Sequence, residues 1–183
     1  MQRLFLAIAM IFSLSTSEAA GFTLNSPDIS AGKKIPTQYT YNGFGCTGSN
    51  VSPALNWHNP PAGTQSFAIT VHDPDAPTGG AGWWHWIVIN LPATMTGLAR
   101  GDGTADGSHL PAGAQQIRTD FGTTGWGGPC PPVGDKPHHY HFTVYALKVS
   151  HLDVPANASA SLAGFMINHA ALGKAQLVAP YGR

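Results

Sequence analysis

Residues 68–90, AITVHDPDAPTGGAGWWHWIVIN, hold the decision about the fold. Two apolar runs rich in β-branched and aromatic residues, SFAITV (66–71) and WHWIVINL (84–91), flank a rigid proline turn and a glycine loop, PDAPTGGAG (74–82). Runs of this length and composition read as strands, and the turn brings their ends together. Alternation puts Phe67, Ile69 and Val71 on one face, with Asp73 closing that row. The same rule starts a second row at His85 and carries it through Ile87, Ile89 and Leu91. A carboxylate and an imidazole therefore fall at the mouth of an apolar layer.

The rest of the chain has the same texture. FTLNS (22–26), TQYTY (37–41), ALNW (54–57), QIRTDF (116–121), HYHFTVYAL (139–147) and AQLVAPY (175–181) read as further short strands, punctuated by some of the 22 glycines and 15 prolines. One helix is expected over Ser159–Leu172, where Leu162, Phe165, Met166 and His169 recur at helical spacing and Gly173 follows as a C′ residue. Many strands, one late helix and no crossover helices predict a mostly β protein built as an antiparallel sandwich.

The amino terminus predicts export. Arg3 precedes an apolar run from Leu4 to Leu14, and polar STS and small residues follow, the layout of a cleaved signal peptide over residues 1–21. The run is too short to span a bilayer. Residues 22–183 then form one expected domain, with room for a substantial core. Of the chain's 9 basic and 9 acidic residues, Arg3 and Glu18 leave with the leader, so no net field favours nucleic acid or an anionic membrane. In an exported chain the only two cysteines, Cys46 and Cys130, have one possible intramolecular pairing.

A second polar cluster lies in GGPCPPVGDKPHHYHFTVYAL, residues 127–147. As a strand, its later part sets His138, Tyr140, Phe142 and Val144 on one face and His139, His141 and Thr143 on the other. His138 and Tyr140 would meet Asp73 and His85 at one pocket mouth. Trp83, Trp84 and Trp86 read as packing, and His58, His72, His109 and His151 as surface residues.

Together these blocks resemble the phosphatidylethanolamine-binding protein family, and its exported bacterial, YbcL-like branch in particular. GSNVSPALNW (48–57), HDPDAP (72–77), WWHWIVINL (83–91), GPCPPVGDKPHHYHFTVYAL (128–147) and the closing APYGR fall in the family's order over nearly the whole mature chain. The resemblance implies a large central antiparallel sheet flanked by a smaller one, with helical segments toward the C-terminus. It implies a small preformed pocket for phosphate-like anions, including phospholipid head groups, with Asp73, His85, His138 and Tyr140 as lining and Pro129 in the wall. Asp75 would support the turn and Trp84 flank the site. Two departures stand out: many relatives carry arginine where this chain has His139, and APYGR is not followed by the longer C-terminal helix of mammalian members.

The functional expectation is a non-enzymatic binding or inhibitor-type protein of the periplasm, or released beyond it. Its ligand would be a small anion such as phosphate or a phosphoethanolamine-like group, and a peptidase or host protein would be its protein partner. No cofactor or metal is expected. The competing reading is a metal-assisted hydrolase using Asp73, His85 and the His138, His139, His141 cluster. Against it, His138 and His139 face opposite ways and no HExxH spacing occurs. GxSxG, P-loop and dinucleotide fingerprints are also missing from the sequence. Without a basic amphipathic helix, bulk lipid carriage and stable membrane insertion are not expected.

Overall fold

The computed structural model describes residues 21–183; the leader expectation falls, but for Gly21, outside the described residues. The chain runs through β1 (Thr23–Asn25), β2 (Asn42–Gly43), β3 (Cys46–Thr47), β4 (Leu55–His58), β5 (Ser66–Asp73), β6 (Trp83–Pro92), β7 (Gly97–Leu98), β8 (Gln115–Gln116), β9 (His138–Leu147), α1 (Ala160–Ala170) and β10 (Ala171–Tyr181). A five-stranded antiparallel sheet in the order β10-β9-β5-β6-β8 dominates, with a three-stranded sheet β1-β4-β7 beside it. The short hairpin β2-β3 stands apart.

Each face of the large sheet buries its own apolar layer. One face packs Phe67, Ile69, Val71, Phe142 and Val144 against Leu24, Leu55 and Trp57 of the small sheet. The other packs Ala68, Ile87, Ile89 and Leu147 against Ala163 and Ile167 of α1. This is the expected mostly β sandwich, with the helix covering the outer face of the central sheet.

Strand β6 departs from simple alternation twice. Val71 lies opposite Trp86 but His72 opposite Trp84, so β6 carries one extra residue at His85. Phe67 lies opposite Leu91 but Ile69 opposite Val88, a second extra residue near Asn90. Asn90 has φ +61°, and its side chain accepts from Leu152 N at 2.7 Å and donates to Leu152 O at 3.3 Å. Such bulges turn the following side chains to the other face. The expected row of His85, Ile87, Ile89 and Leu91 is thereby corrected. Ile87 and Ile89 face α1, Leu91 joins the layer against the small sheet, and His85 comes round to the side of Asp73 and Tyr140.

Three other expectations are corrected. TQYTY begins with a single 3₁₀ turn, Thr37–Tyr39, because Pro36 fixes its entry and Thr40 Oγ1 donates to Thr37 O at 2.7 Å. QIRTDF keeps only its first residue in a strand: Thr119 Oγ1 donates to Thr123 O at 3.0 Å and Asp120 Oδ2 accepts from Trp84 N at 2.7 Å, closing a turn. Helix α1 begins as expected, with Ser159 Oγ accepting from Leu162 N at 3.1 Å, but it buries Ala160, Ala163, Gly164, Ile167 and Ala170. Leu162 and Phe165 point outward, and Phe165 is 69 % exposed. Trp84 approaches this face closely: a Cβ at Gly164 would meet its ring at 3.1 Å. Gly173 is a strand residue, and the helix ends instead at Ala171 in extended conformation.

Candidate functional site

The ends of β5, β6 and β9 converge at one edge of the large sheet. Asp73 ends β5, His138 begins β9 with Tyr140 two residues on, and the bulge delivers His85 from β6. Asp73, His85 and His138 are among the few buried polar side chains, each under 5 % exposed. They line a cavity of about 300 Å³, with Trp83, Phe121 and Pro131 among its apolar walls.

The floor is fully wired on one side. His138 Nδ1 donates to Asp73 Oδ2 at 2.7 Å, and Asp73 Oδ1 accepts from Asp75 N at 2.9 Å. On the far side of the ring, His138 Nε2 lies 3.4 Å from Asp135 Oδ2. Asp75 Oδ2 accepts from His139 N and Nδ1, both at 2.8 Å. Burial works against its charge, but these His139 bonds outweigh burial and hold the Asp75 carboxyl below the usual range. The DPDAP segment is thus tied to the start of β9 by both of its aspartates.

His85 is held from the other side. Its Nδ1 donates to Gly127 O at 2.5 Å, while Gly127 N donates back to His85 O at 2.9 Å. This leaves Nε2 as a lone pair toward the cavity. Burial pushes the His85 pKa down to about 4, so the ring is neutral at physiological pH. Gly127 is required here, since a Cβ would lie 2.4 Å from the Phe121 ring, and a Cβ at Gly128 would lie 2.2 Å from Tyr39 O.

Tyr140 packs edge-on against His85, with ring centroids 5.1 Å apart. Its hydroxyl is buried and has no hydrogen-bond partner among the described residues. Burial first, then the Asp73 carboxylate, by its charge and as a nearby acceptor that does not reach full hydrogen-bond geometry with the hydroxyl, hold the phenol well above its ordinary pKa, so it keeps its proton. A buried hydroxyl left without a partner costs free energy, on the order of 1–3 kcal/mol. It is the one buried side-chain polar atom in this condition among the described residues.

The wall carries the disulfide. Cys46 and Cys130 are bonded with Cα atoms 6.0 Å apart, and Cys130 itself lines the cavity. The bridge anchors hairpin β2-β3, whose tip residue Phe44 has φ +51° and is 69 % exposed at the rim. Arg183 ties the same tip to the wall, donating to Gly45 O at 2.9 Å, Phe44 O at 3.1 Å and Pro131 O at 2.7 Å.

Asp73, His85, His138 and Tyr140 thus come together, as the sequence led us to expect. Pro129 and Trp84 do not reach the cavity. Pro129 O accepts from Tyr41 N at 3.1 Å behind the wall, and Cys130, Pro131 and Pro132 provide the surface instead. Trp84 lies across the sheet, against α1 and the His72 ring at 4.4 Å. Asp75 acts one step back, through Asp73 and His139. Sequence reading missed Trp83, Phe121 and Phe44. Trp83 follows once the bulge is recognised, being the partner of Asp73 across β5 and β6. Phe121 and Phe44 come from loops that carry no periodic signal.

Comparison with known proteins places this geometry. A profile described as phosphatidylethanolamine-binding protein matches residues 25–182. UPF0098 protein YbcL of Escherichia coli K12 is 48 % identical over 181 residues, covering 99 % of this chain and 98 % of the relative. UPF0098 protein YbhB of the same organism is 46 % identical over 158 residues, covering 86 % and 98 %. "Putative lipoprotein LppC" of Mycobacterium tuberculosis is 40 % identical over 163 residues, covering 89 % and 73 %. The crystal structure of Escherichia coli YbcL superposes with a TM-score of 0.87 at 50 % identity, over 90 % of this chain and 99 % of that one. With the profile spanning almost every described residue and the fold shared throughout, the chain belongs to the phosphatidylethanolamine-binding protein family.

Proposed function

We propose that the protein is a non-catalytic binding protein of the periplasm whose pocket captures a phosphate-like anion, free or as a head group, and acts on a protein partner in that state. The proposed partner class, a peptidase or a host protein, rests on the family resemblance and on the expected export. The observation that carries the reading is the Tyr140 hydroxyl, buried without a partner in a preformed cavity beside the free Nε2 of His85. A ligand oxygen accepting from Tyr140 repairs that deficit. The volume, about 300 Å³, suits a phosphate with a short substituent and not an acyl chain.

Export is supported by the Cys46–Cys130 bridge and by a relative whose printed name is a lipoprotein. No helix among the described residues is long and apolar enough to cross a membrane. The hydrolase alternative gains no support, since no group of three or more metal-capable side chains gathers among the described residues.

The test is a titration of the oxidised, EDTA-treated protein with phosphate and phosphoethanolamine, read through tryptophan fluorescence because Trp83 lines the cavity. Saturable quenching that disappears in His138→Ala is expected. No response to either ligand, followed by one on adding zinc, overturns the reading in favour of a metal site.

A further inference from the structure

We infer that the pocket selects a phosphate monoester in its singly protonated form, with the P–OH hydrogen donated to His85 Nε2 and a second phosphate oxygen accepting from Tyr140. This rests on the anion-binding reading above and narrows it to one chemical class, defined by a proton that diesters and sulfate lack.

The floor is short of donors. His85 Nδ1 carries the ring hydrogen because it faces the Gly127 carbonyl at 2.5 Å, so Nε2 can only accept. The Asp73 carboxylate accepts only, and both of its oxygens already take bonds from Asp75 N and His138. Thr78 Oγ1 is committed to Gly82 O at 3.0 Å. Pro77, Pro131 and Pro132 in the lining have no N–H to offer. Of the polar side chains at the floor, Tyr140 is the one whose hydrogen makes no full hydrogen bond to a described residue, the Asp73 carboxylate being its nearest acceptor. A fully deprotonated anion would set its oxygen lone pairs against the lone pair of Nε2 and the charge of Asp73. A P–OH turns the first of these contacts into a hydrogen bond.

The electrostatic surroundings agree. Around His85 stand Asp73 and His72 from β5, His138 and Tyr140 from β9, and Asp120 from the loop after β8. Burial, with His72 acting in the same direction, outweighs the carboxylates and keeps the ring neutral, with a pKa of about 4. Between pH 5.5 and 8 the imidazole therefore stays an acceptor and the ligand is the group that titrates. The second ionisation of a phosphate monoester falls near pH 6, so above it the protonated anion declines roughly tenfold per pH unit.

The experiment compares methyl phosphate, dimethyl phosphate, sulfate and methylammonium by calorimetry on the oxidised full domain between pH 5.5 and 8. Methyl phosphate is expected to bind roughly 10- to 100-fold more tightly than dimethyl phosphate or sulfate at pH 6. Its affinity should weaken roughly tenfold from pH 7 to 8, while dimethyl phosphate, whose charge does not change, reports any titration of the protein itself. In His85→Gln, whose amide can donate, the preference over sulfate should fall to within about threefold. Equal binding of monoester, diester and sulfate, or methyl phosphate tightening as pH rises, overturns the inference while leaving anion binding intact. Methylammonium bound with all three anions refused, or nothing bound at all, overturns the anion-binding reading itself.

Discussion

Replacing Tyr140 by phenylalanine should make the protein more stable and worse at its work. The substitution removes one oxygen and leaves the ring, so its packing against His85 and the core layer is kept and no large cavity opens. What disappears is a buried hydroxyl that makes no full hydrogen bond to any described residue. The cost of such a group is about 1–3 kcal/mol, and relaxation recovers part of it, so a gain of about 1 kcal/mol is expected. For a domain of this size that corresponds to a rise in Tm of roughly 2–4 °C. The assay is reversible denaturant unfolding with the disulfide intact, without phosphate, followed by phosphate titration of the same variant. Phosphate affinity should fall roughly tenfold or more, the loss of one buried hydrogen bond to an anion. A loss of stability above about 0.5 kcal/mol would refute the reasoning, since it would mean that the hydroxyl is satisfied in the free protein.

Other perturbations read out different parts of the structure. His85 has a folded pKa of about 4 against 6.5 for the free side chain, so between these values the unfolded chain binds more protons than the folded one. Stability should therefore rise with pH from about 4 to 6.5, by about 3 kcal/mol at most, and this slope should flatten in His85→Gln when denaturation is followed across that range. The Cys46–Cys130 bridge closes a separation of 84 residues, so the double Cys→Ala variant should lose up to about 4.5 kcal/mol in chemical unfolding. On α1, Ala163→Leu should destabilise by about 1–3 kcal/mol in thermal melts, whereas Phe165→Ala should stay within about 0.5 kcal/mol. The reverse order would mean that the helix face has been assigned backwards.

Where sequence pattern succeeded and where it failed follows from what each kind of signal encodes. Strand existence was legible because SFAITV and HYHFTVYAL are long enough for alternation and side-chain shape to agree. The candidate site was legible in part: Asp73 and Tyr140 inherit their direction from strands whose alternation is unbroken. His85 does not, since its direction depends on a bulge that apolar content cannot reveal. The helix was visible but its buried face was not. Hydrophobicity marks Leu162 and Phe165, yet the closeness of Trp84 at Gly164 favours a face of small residues around Ile167, and steric room across a sheet has no local signature. TQYTY misled for a related reason, because its β-favouring residues follow Pro36 and are closed into a turn by the bond from Thr40 Oγ1 to Thr37 O. Phe44, Phe121 and Cys130 reach the cavity through loops and a covalent bridge, which only the assembled structure brings together.

The extra residue in β6 makes the pocket a matter of counting as much as of chemistry. Between Val71 and His72 the partner strand advances two residues for one, and that single increment sends the imidazole toward Asp73 and Tyr140. A regular strand of the same length, counted back from Val88 through Ile87 and Trp86, would keep every residue type at the site and, by alternation, aim its imidazole at α1. The register of β6 against β5 therefore decides whether the imidazole reaches the floor, and an inventory of aspartates, histidines and tyrosines does not.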